Sequence, residues 1–137
     1  MDTIVIGYDD SPAAEHALER AAIFARSLGS KLIVTSVAPL LTPGPHGVGG
    51  PDPADPPELH RALLDRARKH LETEGIEAEY VNGFGDPAKK IVELATDRGA
   101  DLIMVGTREA GFVQRMLGES VSSAVTHKAH CDVYIAH

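Results

Sequence analysis

Thr3-Ile4-Val5-Ile6-Gly7-Tyr8-Asp9-Asp10-Ser11-Pro12 carries the chain from a β-branched run without polar alternation into a turn and a helix start. Consecutive apolar residues of this kind mark a strand buried on both faces, as in a parallel sheet covered by helices. Ser11 then offers a capping hydroxyl, and Pro12 lacks only an N–H that a first helical turn leaves unused. Three more runs read the same way: Lys31 to Val37, Asp101 to Val105, and Asp132 to Ala136. Glu77 to Val81 is shorter in apolar content and suits an edge strand.

Between these runs the apolar period becomes helical. Ala14, Ala17, Leu18, Ala21, Ala25 and Leu28 form one stripe, and Leu59, Leu63, Ala67 and Leu71 form another. Ile91 with Ala95, and Val121 with Val125, predict two further helices, the first opened by Asp86-Pro87. Gly29, Gly75 and Gly99 stand where helices should end. Strand and helix alternate as βαβαβαβαβ, so the expected fold is α/β, a doubly wound parallel sheet with right-handed crossovers. Residues 39–57 interrupt the alternation with seven of the nine prolines and four of the thirteen glycines. This stretch reads as a long loop, either a surface connection or a lid over the carboxyl edge of the sheet.

The chain has 137 residues, enough for a single domain spanning 1–137, and 43% hydrophobic residues to fill its core. Thirteen basic against twenty acidic side chains give a net charge of −7. That field repels a polyanion, so nucleic acid is not an expected partner. No apolar stretch approaches the ~20 residues of a membrane-crossing helix, and no basic segment leads into a secretory apolar region. With the lone Cys131 fitting a reducing compartment, the expected location is the cytoplasm.

In a doubly wound sheet the ligand sits beyond the carboxyl ends of the strands, where strand order reverses. Asp9-Asp10-Ser11 and the segment from Gly106 to Ser122 should meet there. A glycine-containing loop ending in serine before a helix suits an anion, because free N–H groups and the helix dipole both favour negative charge. The same glycines also suit a tight turn with no ligand. Neither the three-glycine dinucleotide pattern nor the Gly-Lys-Ser/Thr phosphate loop is present. Asp9, Ser11 and His16 include the residue types of a hydrolytic triad, yet no Gly-x-Ser-x-Gly elbow accompanies them, and Ser11 reads as a helix cap. His127, His130 and Cys131 lack a fourth ligand at zinc spacing. His16, His46, His60, His70 and His137 are scattered and read as surface positions.

The chain resembles the universal stress proteins from end to end. The likeness rests on Ile4-Val5-Ile6-Gly7-Tyr8-Asp9-Asp10-Ser11, Gly85-Asp86-Pro87-Ala88, Gly99-Ala100-Asp101-Leu102-Ile103-Met104-Val105-Gly106-Thr107-Arg108 and Cys131-Asp132-Val133. The resemblance implies a five-stranded, Rossmann-like sheet in the order 3-2-1-4-5, of the adenine nucleotide alpha hydrolase-like type. It also implies a homodimer paired through the 132–136 strand and an adenine nucleotide at the switch point. Carried over residue by residue, Asp9 lies near the nucleotide and Val37 beside the adenine. Gly106, Thr107, Arg108, Gly118, Ser120, Val121 and Ser122 then form the ribose and phosphate wall.

Nucleotide-binding members carry Gly-x-x-Gly, nine further residues, then Gly-Ser or Gly-Thr. Counted from Gly106, the second and third glycines fall on Glu109 and Glu119, with Ser120 in register and Gly118 one place early. Asp10 likewise stands where the family has glycine. Three carboxylates at a phosphate site oppose ATP, so the expected ligand is AMP, a cyclic nucleotide, or ATP only with Mg²⁺ held through Asp9. The other reading of Glu109 and Glu119 is that both are exposed, at a loop and a helix N-terminus where acid is favourable. Two functions follow: a stress-response protein with a weakened adenine-nucleotide pocket, or an interaction module that acts through protein partners. No catalytic pair stands out, and the most an enzyme reading would support is slow ATP hydrolysis.

Overall fold

The computed structural model describes residues 1–9, 11–38, 56–107 and 120–137. In chain order these form β1 (Thr3–Gly7), α1 (Pro12–Leu28), β2 (Lys31–Ala38), α2 (Pro57–Thr73), β3 (Ala78–Phe84), α3 (Pro87–Asp97), β4 (Leu102–Gly106), α4 (Val121–Lys128) and β5 (Asp132–Ala136). The strands make one five-stranded sheet in the order β3-β2-β1-β4-β5. Every neighbouring pair is parallel. The fold expected from the sequence is therefore present, and strand order reverses between β1 and β4.

β1 explains the layering. Ile4, Val5 and Ile6 are fully buried, which requires apolar cover on both sides of the sheet. Ile4 and Ile6 join Leu32, Val34, Leu102 and Met104 beneath α1 and α2, where Leu18, Leu63, Ala67 and Leu71 complete the layer. Val5 joins Ile33, Ile103 and Val105 on the other face, under Ile91 and Ala95 of α3 and Val125 of α4. β3 lies at the sheet edge as its polar composition predicts, and it runs to Phe84, beyond the Glu77–Val81 expectation.

The helix boundaries follow local chemistry. Ser11 caps α1 by accepting from the Ala14 N–H at 3.1 Å, and Gly29 ends it at φ 68°, a left-handed conformation that glycine adopts without a Cβ clash. Asp86 stands at the N-cap of α3 but its side chain makes no capping bond there; its carboxylate faces Lys128 of α4 at 3.6 Å instead. Two stripe assignments need correction. Leu28, the last residue of α1, is 58% exposed. In α2 the buried stripe is centred on His60, Leu64, Ala67 and Leu71, which puts Leu59 at its margin and into solvent. His60 is thus a core residue and not a surface histidine, and its Nδ1 lies 2.5 Å from the buried Ser36 hydroxyl.

Asp101, just before β4, accepts from the backbone N–H groups of Thr3 at 3.0 Å and Asp2 at 2.9 Å. These donors hold its carboxyl below the usual carboxylate range. The contribution to stability is therefore present above that range and lost as pH falls through it. Asp101→Asn should flatten the acid side of a stability profile measured by thermal unfolding against pH. Leu71→Ala, which empties a fully buried position, should cost about 2–5 kcal/mol in denaturant unfolding.

Candidate functional site

Three chain segments end or begin at the carboxyl rim of the sheet on either side of the reversal point. The first is the β1–α1 turn. The Tyr8 N–H donates to the Thr35 carbonyl at 2.8 Å, which extends the β1–β2 pairing by one residue. Asp9 Oδ1 then accepts from the Ser11 N–H at 2.8 Å, the side-chain-to-backbone turn that aspartate favours. Ser11 Oγ is occupied as the α1 cap, and His16 Nδ1 lies 2.6 Å from the His137 backbone oxygen. Ser11 thus serves as a helix cap, and His16 is turned toward the end of the chain.

The second segment is the end of β4. A Cβ on Gly106 would stand 2.5 Å from the Ala13 carbonyl carbon and from the Ala14 nitrogen. Only glycine lets β4 approach the first turn of α1 this closely. That contact accounts for Gly106 as a packing requirement, a reason that the motif spacing does not reveal. Thr107 follows, its N–H donating to the Ala136 carbonyl at 2.6 Å and its hydroxyl 3.3 Å from His137 Nδ1. The site's Thr107 is in this way tied to the end of β5.

The third segment is the start of α4. Ser120 caps the helix by accepting from the Ser123 N–H at 3.2 Å. Its hydroxyl also lies 3.2 Å from that of Ser122 and 3.1 Å from that of Ser123. Three hydroxyls therefore gather at a helix N-terminus, where unpaired N–H groups and the helix dipole favour an anion. Ser122 is buried, and Val121 packs on the α3–α4 side of the core. Val37, near the end of β2, is buried on that same side. Asp10, Arg108, Glu109, Gly118 and Glu119 lie outside the described residues, as does most of the 39–57 loop.

Among the described residues, no group of three or more His, Cys, Asp or Glu stands together as a metal site. Cys131 is half-buried, and burial together with Asp132 and Asp101 pushes its thiol up. Among the described residues, no helix is long and apolar enough to cross a membrane.

Two features at the rim escape a motif-based reading. Tyr8 donates its phenolic hydrogen to Glu15 in the first turn of α1, and burial with this bond raises the Tyr8 pKa well above its ordinary value. The signal was a tyrosine closing an otherwise apolar strand, since a buried phenol needs a partner. The other is the Ser36–His60 pair, hidden because a histidine on an amphipathic helix looks like a surface residue until its angular position is known.

The chain matches the model of the universal stress protein family over residues 1–137. Universal stress protein Sll1654 of Synechocystis is 29% identical over 97% of this chain and 83% of its own length. A universal stress protein crystallised in complex with cAMP superposes with a TM-score of 0.74 at 29% identity, covering 99% of this chain and 96% of that one. The universal stress protein from Archaeoglobus fulgidus in complex with dAMP gives the same TM-score at 26% identity, covering 100% of this chain and 98% of its own. Matched by that family model over residues 1–137, this chain belongs to the universal stress protein family.

Proposed function

We propose that this chain is a stress-response protein that binds an adenine nucleotide at the carboxyl rim of its sheet, with Ser120, Val121 and Ser122 on the phosphate side. The observation that carries this reading is the hydroxyl cluster of Ser120, Ser122 and Ser123 at the start of α4. The complexes of related family members with cAMP and dAMP support it. Asp9, Val37, Gly106, Thr107, Arg108 and Gly118 complete the site in this proposal.

The preferred ligand carries little negative charge. Two unit charges ~4 Å apart interact by about 1 kcal/mol in water and about 4 kcal/mol at an effective dielectric of 20. In this proposal Asp10, Glu109 and Glu119, which stand where the family pattern has glycine, bring negative charge to the phosphate segments and disfavour a triphosphate. AMP and cyclic nucleotides escape most of the repulsion, and Mg²⁺ near Asp9 would relieve part of it for ATP.

Calorimetric titration with AMP, cAMP and ATP, each with and without Mg²⁺, tests the reading. AMP or cAMP should bind at least about tenfold more tightly than metal-free ATP, a difference of about 1.4 kcal/mol. No heat with any nucleotide at millimolar concentration would overturn the proposal and leave the protein-partner reading. The double substitution Glu109→Gly with Glu119→Gly should raise ATP affinity, while Ser120→Ala should lower affinity for all three ligands.

The same proposal makes the protein a homodimer paired through β5. That strand is an outer strand of the sheet and presents Ile135, 36% exposed, beside Val133 and Tyr134. Among the described residues no strand pairs with the outer side of β5, and an apolar edge of this kind is a template for another strand. Sedimentation should give a dimer at micromolar concentration, and a monomer there would reject the pairing.

A further inference from the structure

We propose that Tyr8 and Glu15 are positioning residues: their hydrogen bond spans the β1–α1 turn and holds Asp9 in place for the nucleotide. The inference deepens the nucleotide reading above and rests on it. Tyr8 is the first residue after β1 and is only 3% exposed, packed with Ile4, Ile6 and Ala14 in the layer under α1 and α2. Its hydroxyl donates to the Glu15 carboxylate, seven residues along the chain and already in the first turn of α1. The residues between include Asp9 and Ser11, joined by the bond from the Ser11 N–H to Asp9 Oδ1. A strap from one end of the turn to the other therefore encloses the local bond that orients Asp9.

Packing alone does not call for this pair. Phenylalanine would bury the same ring without a hydroxyl to satisfy, and replacing both members of a hydrogen-bonded pair by apolar groups is often nearly neutral for stability. A tyrosine–glutamate bond at the rim is better explained by what it specifies. Gly106 supports the same conclusion, because its close seat on Ala13 and Ala14 makes the first turn of α1 a reference surface for the end of β4. Loosening that turn would let Asp9 and the β4 end drift relative to one another. The strap also explains why Glu15 is partly buried, since its carboxylate is directed back toward the sheet.

The test separates positioning from folding. Tyr8→Phe removes the donor, Glu15→Ala removes the acceptor, and Glu15→Gln keeps an oxygen that can accept from the tyrosine. AMP affinity measured by calorimetry should fall about three- to tenfold in the first two variants. It should stay within about twofold of the parent in Glu15→Gln. The Tyr8→Phe, Glu15→Ala double variant should bind no more weakly than Tyr8→Phe alone, because both changes break one bond. Its melting temperature should stay near the parent's, because replacing both members of a hydrogen-bonded pair is often nearly neutral for stability, so the loss of AMP affinity is read in a folded protein.

Amide exchange followed by NMR reads the turn without any ligand. The Ser11 amide should exchange faster in Tyr8→Phe and recover its protection in Glu15→Gln. Unchanged Ser11 exchange would overturn the proposal, and so would faster exchange with AMP affinity unaltered. If the parent protein binds no nucleotide, the functional reading fails on its own. The exchange measurement still decides whether the strap orders the turn.

Discussion

The central strand can bury Ile4, Val5 and Ile6 completely only if apolar layers cover both of its faces, and most of the molecule follows from meeting that condition. α1 and α2 supply one layer, and α3 and α4 the other. Helices on both faces leave the ends of the strands as the place where loops gather. Strand order reverses between β1 and β4, and in open α/β sheets ligands lie beyond the carboxyl ends of the strands at such a reversal. The buried strand thus selects the rim at which the proposed site is placed.

At that rim, the proposed ligand site draws on atoms that also cap helices. Ser11 and Ser120 both cap helices, and each sits where strand-to-helix chain reaches the edge. The difference lies in what surrounds the cap. Ser11 is enclosed by the Asp9 bond and the Tyr8–Glu15 strap, so its turn is tightly specified. Ser120 stands with the hydroxyls of Ser122 and Ser123 at the start of α4, a cluster of groups that can donate to an anion. Gly106 joins the two regions by letting β4 settle against the backbone of α1.

Much of this was legible in the residues. The unalternating runs identified the buried strands, and the weaker apolar content of Glu77 to Val81 placed β3 at an edge. Ser11-Pro12 and Gly29 marked the two ends of α1. Other readings failed for geometric reasons. Leu63, Ala67 and Leu71 are buried as their spacing implies, but the stripe extends to His60 and Leu64 and leaves Leu59 in solvent. Asp86 has the chemistry of a cap, yet Lys128 on a different helix faces its carboxylate. The partners of Tyr8, His60 and Gly106 were not legible as partners, because each contact depends on the angle at which a helix lies on the sheet.

The alternation of strands and helices, the two-sided burial of the sheet and the family of the chain can all be read from the order of its residues. Periodicity and local capping are properties of neighbouring residues and survive in a linear reading. Tertiary structure alone decided that Gly106 must remain without a side chain, that His60 enters the core, and that Tyr8 reaches Glu15 across the β1–α1 turn. Those contacts are set by how helices rotate and settle on the sheet, and that rotation is a collective outcome of packing both faces at once.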